Sequence, residues 1–245
     1  MQKLFFEVFE ALPRQGPGNL VCTRRALELC RQLPPAPQIL DLGCGAGAQT
    51  LDLARLTAGS ILAIDSHAPL VDRLRARLQD ERLSGRVEAR MADMGALDLP
   101  AESFDLVWSE GALYNLGLQR ALPMCRELLR RGGYLAFTDA VWRSHDPPAD
   151  VRAAFADYPT MGRVDDVLSQ ARKRGWSVVD HFDLPDDAWW HDFYGPMQER
   201  IDALRTHYAR DPEALAALEE IADEPQMFRR SGHHYGYTFF ILRRP

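Results

Sequence analysis

Cysteine is scarce in this chain of 245 residues: Cys22, Cys30, Cys44 and Cys125 are scattered with no paired spacing. That excludes a disulfide framework and predicts free thiols in a reducing compartment, hence a cytoplasmic protein. Long apolar runs are missing too, since none approaches the ~20 residues of a membrane span. The stretch Met1–Glu7 shows no cleavable signal pattern. There is no basic excess either: 29 Lys and Arg stand against 35 Asp and Glu, a formal net charge of -6. A nucleic-acid partner is therefore not expected, and clusters such as Arg172-Lys173-Arg174 read as solvated helix faces. His233-His234 lacks a second pair at ligand spacing, so no metal is expected. Repeats and low-complexity segments are absent.

What is present is ordinary globular composition, 46% hydrophobic and 26% charged, enough for one large α/β domain or a domain with a cap. Helices are predicted over Leu4–Leu12 and Leu20–Leu33, separated by Pro13 and Gly16-Pro17-Gly18. After Pro34–Pro37 a regular alternation sets in. Strand-like runs at Ile39–Leu42, Ile61–Ile64, Val87–Met91, Leu106–Trp108 and Leu135–Thr138 enclose helical segments near Ala48–Leu56, Leu70–Gln79 and Ala121–Leu129. That rhythm predicts parallel strands with right-handed crossovers and helices on both faces. A further helix, Val164–Arg174, leads to a strand near Trp176–Asp180. Beyond it lies an excursion with helices over Phe193–His207 and Pro212–Ala222, the second capped by Asp211. The last strand, Tyr237–Leu242, is expected to run antiparallel at the end of a mixed sheet.

The sharpest local signal is Ile39-Leu40-Asp41-Leu42-Gly43-Cys44-Gly45-Ala46-Gly47-Ala48, a buried strand breaking into a glycine loop before a helix. Such a loop lets a ligand lie against bare backbone N–H groups. Gly43, Gly45 and Ala48 also satisfy the dinucleotide spacing, so the glycines alone leave the cofactor open. The acids narrow it. Asp41, just ahead of the loop, would repel a pyrophosphate and attract an ammonium group. Asp65 ends the second strand at a spacing suited to ribose hydroxyls. Asp93 ends the third, where it suits an adenine amino group, with Leu70 and Met94 flanking the ring.

The ordered segments DLGCGAG, AIDS, MADM, FDLVWSEG and LLRRGGYLAFTD resemble class I S-adenosylmethionine-dependent methyltransferases. They are similar in particular to small-molecule enzymes of ubiquinone and menaquinone biosynthesis. A narrower bacterial group shares RQGPG (Arg14–Gly18), SEGALYNLG (Ser109–Gly117) and YGYTFF (Tyr235–Phe240). The resemblance implies a Rossmann-like, doubly wound, seven-stranded sheet with an antiparallel last strand. It divides the chain into an N-terminal helical cap (1–36), a cofactor core (37–183), a substrate-cap insertion (184–234) and a final strand (235–245), all one domain. It implies that Gly43, Gly45 and Gly47 cradle the methionine portion, with Asp41 near its amino group and Arg14 reaching its carboxylate. Asp65 would hold the ribose, Asp93 the adenine, and Ser109-Glu110 would pass beside the sulfur. Gly18, Cys44, Ala46, Thr50, Ser66, Leu70, Ala92, Met94 and Gly111 complete the expected contacts with the cofactor, S-adenosylmethionine.

Methyl transfer from a sulfonium is an in-line displacement in which the enzyme aligns the reactants and excludes water. Residues at the strand ends are therefore the candidates for holding a small-molecule acceptor. Glu110, Tyr114 and Asn115 follow the fourth strand, Asp139 and Trp142 the fifth, His181 and Asp183 the sixth. Glu110 and Tyr114 are expected to face the acceptor, and His181 to serve as a base where one is needed. Trp189, Trp190 and Tyr194, within the run Trp189–Tyr194, form the expected pocket wall, and stacked aromatics there can hold a cation. The O, N or C identity of the accepting atom stays open, as does a homodimer. The alternatives are an NAD(P)-dependent oxidoreductase and a non-catalytic module that binds S-adenosylmethionine.

Overall fold

In the computed structural model, which describes residues 2–245, the alternation becomes strands β1 (Gln38–Leu42), β2 (Ser60–Asp65), β3 (Val87–Met91), β4 (Phe104–Glu110), β5 (Leu129–Trp142), β6 (Ser177–Asp183) and β7 (Tyr235–Arg243). Met1, the first residue of the stretch and cap read above, lies outside the described residues. The strands form one sheet in the order β3-β2-β1-β4-β5-β7-β6. β1 pairs in parallel with β2 and β4, while β7 runs antiparallel between β5 and β6. The sheet order differs from the 3-2-1-4-5-6 of dinucleotide folds by the insertion of that antiparallel strand.

Helices α1 (Gln2–Phe9), α2 (Leu20–Leu29), α3 (Ala48–Leu56), α4 (Ala68–Asp80), α5 (Leu118–Leu128), α6 (Ala149–Ala154) and α7 (Val164–Lys173) accompany the sheet. Asn19 caps α2, its side chain accepting from the Cys22 N–H at 2.9 Å. One apolar cluster, with Ala26, Leu51, Leu74 and Trp108, covers one face; another, with Leu122, Leu135, Leu168 and Phe240, covers the other. Strands buried on both faces read as continuous apolar runs, and β1 (QILDL) is buried at every position but the first.

The excursion before β7 contains α8 (Asp187–Trp189), a π-helical turn over Trp190–Tyr194, α9 (Gly195–His207) and α10 (Pro212–Ser231). It packs with α1, Ala140 and Val151 into a third cluster. Several boundaries move relative to the sequence reading, among them that of α2, which ends at Leu29 rather than Leu33. α1 stops at Phe9 rather than Leu12, and α10 runs nine residues past Ala222, through Pro225, because its apolar face stays buried at Pro225 and Phe228. Asp211 does cap it, accepting from the N–H groups of Glu213 and Ala214. β5 is far longer than Leu135–Thr138, so Asp139 and Trp142 lie within the strand instead of following it; His181 and Asp183 likewise lie within β6.

Candidate functional site

At the carboxyl end of β1 the chain turns through Gly43–Gly47 into α3. Gly43 has φ +74°, and a Cβ there would lie 2.3 Å from the Ala112 Cβ. Gly45 has φ +53°, and its Cβ would lie 2.7 Å from the Gln15 Oε1. Only glycine meets both demands. The Gly43 and Cys44 N–H groups donate to the Ile64 carbonyl, which fixes the loop against β2. Asp65 accepts from the Gly45 N–H at 2.8 Å and from the His67 N–H at 2.9 Å, one bond to each oxygen. Each carboxylate oxygen keeps a lone pair for a ligand. Asp93 accepts the Gly95 N–H at 2.7 Å through one oxygen.

A cavity of about 1180 Å³ opens on this loop. Of the expected cofactor residues, Arg14, Gly43, Cys44, Gly45, Asp65, Ser66, Leu70, Ala92, Asp93, Met94, Glu110 and Gly111 line it. Of the acceptor candidates, Tyr114, Asn115, Trp189 and Tyr194 do so.

The others lie elsewhere. Asp41 is fully buried behind the loop, accepting from the Thr50 hydroxyl at 2.6 Å and from Gln49 Nε2 at 3.4 Å. Asp41 and Thr50 thus pin α3 to β1, and burial pushes the Asp41 carboxyl up to about 7. The Ser109 hydroxyl donates to the Leu42 carbonyl at 2.8 Å, clamping β4 to β1. The Ala46 N–H is taken by Gln15 Oε1 at 2.8 Å, and Gly47 is shielded by Leu74. The Gly18 N–H donates to the Ala188 carbonyl at 2.9 Å. Trp142 donates its indole N–H to the Met161 carbonyl at 3.1 Å, and Arg229 covers the Trp190 ring at 4.5 Å. His181 is exposed on β6, the edge strand, outside the cavity lining, which removes it as the base.

Glu110 reaches the cavity but is already occupied. It accepts from Arg14 Nη1 at 2.6 Å, Trp108 Nε1 at 2.9 Å and the Thr23 hydroxyl at 3.3 Å. Arg14 also reaches Asp52 at 3.2 Å, and the Arg14 and Glu110 side chains are only 5% and 4% exposed. Burial raises the Glu110 carboxyl while Arg14 opposes the shift. This carboxylate orients the Arg14–Gly18 segment across the strand ends rather than presenting free lone pairs to an acceptor.

The far half of the cavity is aromatic and acidic. Tyr114, Trp189, Tyr194, Tyr235 and Tyr237 line it together with Glu224. The Tyr194 hydroxyl donates to Glu224 Oε1 at 3.0 Å. The Tyr235 hydroxyl and the Trp189 indole N–H are buried with no hydrogen-bond partner among the described residues. Behind them Tyr158 donates to Asp139 at 2.8 Å, and burial pushes that carboxyl up to about 7. No cluster of three or more metal-ligating side chains occurs among the described residues, nor any helix long and apolar enough to cross a membrane.

A family described as a methyltransferase domain matches residues 39–133, the stretch that carries the glycine loop, Asp65 and Asp93. The chain also superposes over its whole length, with a TM-score of 0.85, on 99% of an S-adenosylmethionine-dependent methyltransferase from Thiobacillus denitrificans solved with S-adenosyl-L-homocysteine, at 19% identity. These findings support a class I S-adenosylmethionine-dependent methyltransferase, with S-adenosylmethionine as the cofactor rather than a dinucleotide. Among curated relatives, O-methyltransferase cnsE of Penicillium expansum is 29% identical over 181 residues, covering 71% of this chain and 65% of that protein. Dimethylglycine N-methyltransferase of Parasynechococcus marenigrum is 28% identical over 187 residues, covering 75% and 61%. The chain thus spans less than two thirds of the length of either.

Several residues of the cavity escaped the sequence reading. Gln15 lies within the quoted RQGPG segment, but only the fold shows its side chain meeting the loop. Glu220, Asp223, Glu224 and Met227 line the cavity from α10. Their i, i+3, i+4, i+7 spacing was the available signal. On a helix this far along the chain, such a face reads as solvated.

Proposed function

We propose that this chain transfers a methyl group from S-adenosylmethionine to a small-molecule acceptor held in the aromatic half of the cavity. The observation that carries the reading is that one cavity runs from the glycine loop to the aromatic wall, so donor and acceptor share a single space. When bound, S-adenosylmethionine supplies an electrophilic methyl on a sulfonium. The chain's residues bind, orient and exclude water. In this reading the Gly43–Gly45 backbone follows the methionine portion, and Asp65, already fixed by two N–H groups, accepts the ribose hydroxyls. The free oxygen of Asp93 takes the adenine amino group, with Leu70 and Met94 on either face of the ring. Arg14, held by Glu110 and Asp52, keeps the N-terminal segment over the site, and Tyr114 and Asn115 stand at the acceptor's edge.

We read the chain as one domain with the divisions given above, with α6 added to the acceptor side because Asp150, Ala154 and Phe155 line the cavity. The net charge of -6 supports a small molecule over a nucleic acid. The four buried free thiols support a reducing, cytoplasmic setting.

Titration calorimetry of the full chain with S-adenosylhomocysteine tests the assignment. Micromolar binding is expected, weakened on the order of 10- to 100-fold by Asp65→Ala, which removes the acceptor of the ribose hydroxyls, a hydrogen bond to a charged group worth about 1.5–3 kcal/mol. No such binding, beside clear NADH binding, overturns it.

A further inference from the structure

The acceptor half of the cavity has a chemistry of its own. Asp150, Asp157, Glu220, Asp223 and Glu224 line it, against Arg230. Arg14, the other arginine on the cavity, is engaged by Glu110 and Asp52. Such a potential repels anions and draws cations. Carboxylates alone do not make a site. Here they adjoin two polar groups that the protein leaves unanswered: the Tyr235 hydroxyl and the Trp189 indole N–H, in side chains 2% and 3% exposed. Buried polar atoms without partners are rare in native proteins and carry a penalty that a ligand relieves. Glu224 accepts from Tyr194 through Oε1, leaving Oε2 without a protein donor among the described residues. Trp189, Tyr194 and Tyr235 line the cavity with it, Trp189 lying 5.7 Å from Tyr194 and 6.4 Å from Tyr235 by centroid.

We propose that this half of the cavity binds a cationic amine, its ammonium anchored on Glu224 Oε2 and faced by the rings of Tyr194, Tyr235 and Trp189. The inference rests on the methyltransferase reading and names its acceptor class. An ammonium has no lone pair to offer a methyl group. Before transfer an N–H bond breaks, the proton passes to Glu224 Oε2, and the electron pair stays on nitrogen. Burial raises the Glu224 carboxyl above its ordinary range, which makes it a better proton acceptor at neutral pH. The Tyr235 hydroxyl and Trp189 N–H then meet a polar group elsewhere on the same molecule. Aromatic faces add cation–π attraction in a desolvated site.

The test uses the full chain saturated with S-adenosylhomocysteine. It is titrated calorimetrically with butylamine, benzylamine and 2-phenylethylamine, and with alcohols and carboxylic acids matched to each in shape. At least one amine is expected to bind about tenfold or more tightly than its matched alcohol, a gap of about 1.4 kcal/mol, with the matched acids weaker still. Glu224→Gln is expected to erase that gap while affinity for S-adenosylhomocysteine holds. Tyr235→Phe removes a hydroxyl that no protein group answers, so Tm should hold or rise, and affinity for these amines, which carry no second polar group, should hold as well. An alcohol or acid binding as tightly as the amine overturns the inference, as does failure of the whole panel or a preference that survives Glu224→Gln. In those cases the methyltransferase reading stands on its cofactor binding. Absence of S-adenosylhomocysteine binding overturns both.

Discussion

The two halves of the cavity are built in opposite ways. At the glycine-loop end the polar groups answer one another before any ligand arrives: Asp65 holds Gly45 and His67, Asp41 holds Thr50, Ser109 holds Leu42. At the aromatic end, Tyr235 and Trp189 stay unanswered and Glu224 is half satisfied. The first half is pre-organised, and a ligand fits a shape already fixed. The second is completed by what it binds. This difference matches the demands of a cofactor common to a family and an acceptor particular to one member.

Breaking the pre-organised end should have the largest effect. Gly45→Val places a β-branched side chain at φ +53° with its Cβ 2.7 Å from Gln15. S-adenosylhomocysteine binding by calorimetry is expected to vanish while the far-UV circular dichroism of the sheet persists. Next comes the seam between the halves. Arg14→Ala leaves the buried Glu110 carboxylate without its cation, a loss of about 3–5 kcal/mol read from urea midpoints. The double variant Arg14→Met/Glu110→Gln should recover much of it, since the isolated charge is what destabilises.

A gentler probe of the same end is pH. Burial holds the folded-state pKa of Asp41 at about 7, above the unfolded value of ~3.9. The folded protein keeps its proton between those values. The Asp41 contribution to stability is therefore full below pH ~4 and lost as pH rises through about 7. Asp41→Asn accepts from Gln49 through its oxygen and donates from its amide to the Thr50 hydroxyl, which reverses the second bond and removes the charge. Its stability relative to the parent chain should improve between pH ~4 and ~8, by up to ~4 kcal/mol, measured as urea midpoints along the pH series. The smallest effect is expected outside both halves. His181→Ala, on the exposed edge strand, should stay within about 0.5 kcal/mol in stability and leave methyl transfer unchanged. A large loss of kcat there would return His181 to the site.

The glycine-loop half was legible because its parts are local. Strand, glycines and following helix are contiguous, and each acid sits at the end of a strand that the alternation reveals. The resemblance of those segments to methyltransferases added the cofactor. What escaped, even there, was side-chain direction. Asp41 lies one residue short of the strand end, and its side chain turns onto α3, to Thr50 and Gln49, rather than into the cavity. The aromatic half was legible only in fragments. Trp189 and Tyr194 were found because aromatics cluster in the sequence. Trp190, between them, turns outward against Arg229.

The sequence by itself determined the sheet, its antiparallel last strand and the glycine loop with its strand-end acids, since periodicity, glycines and strand-end acids act over a few residues. Only the tertiary structure decided the aromatic chamber. Its walls come from α6, α10, β7 and the turn after β4, segments separated by dozens of residues. Which faces meet is set by burial of the third apolar cluster, an energy shared among all of them and written in no single stretch.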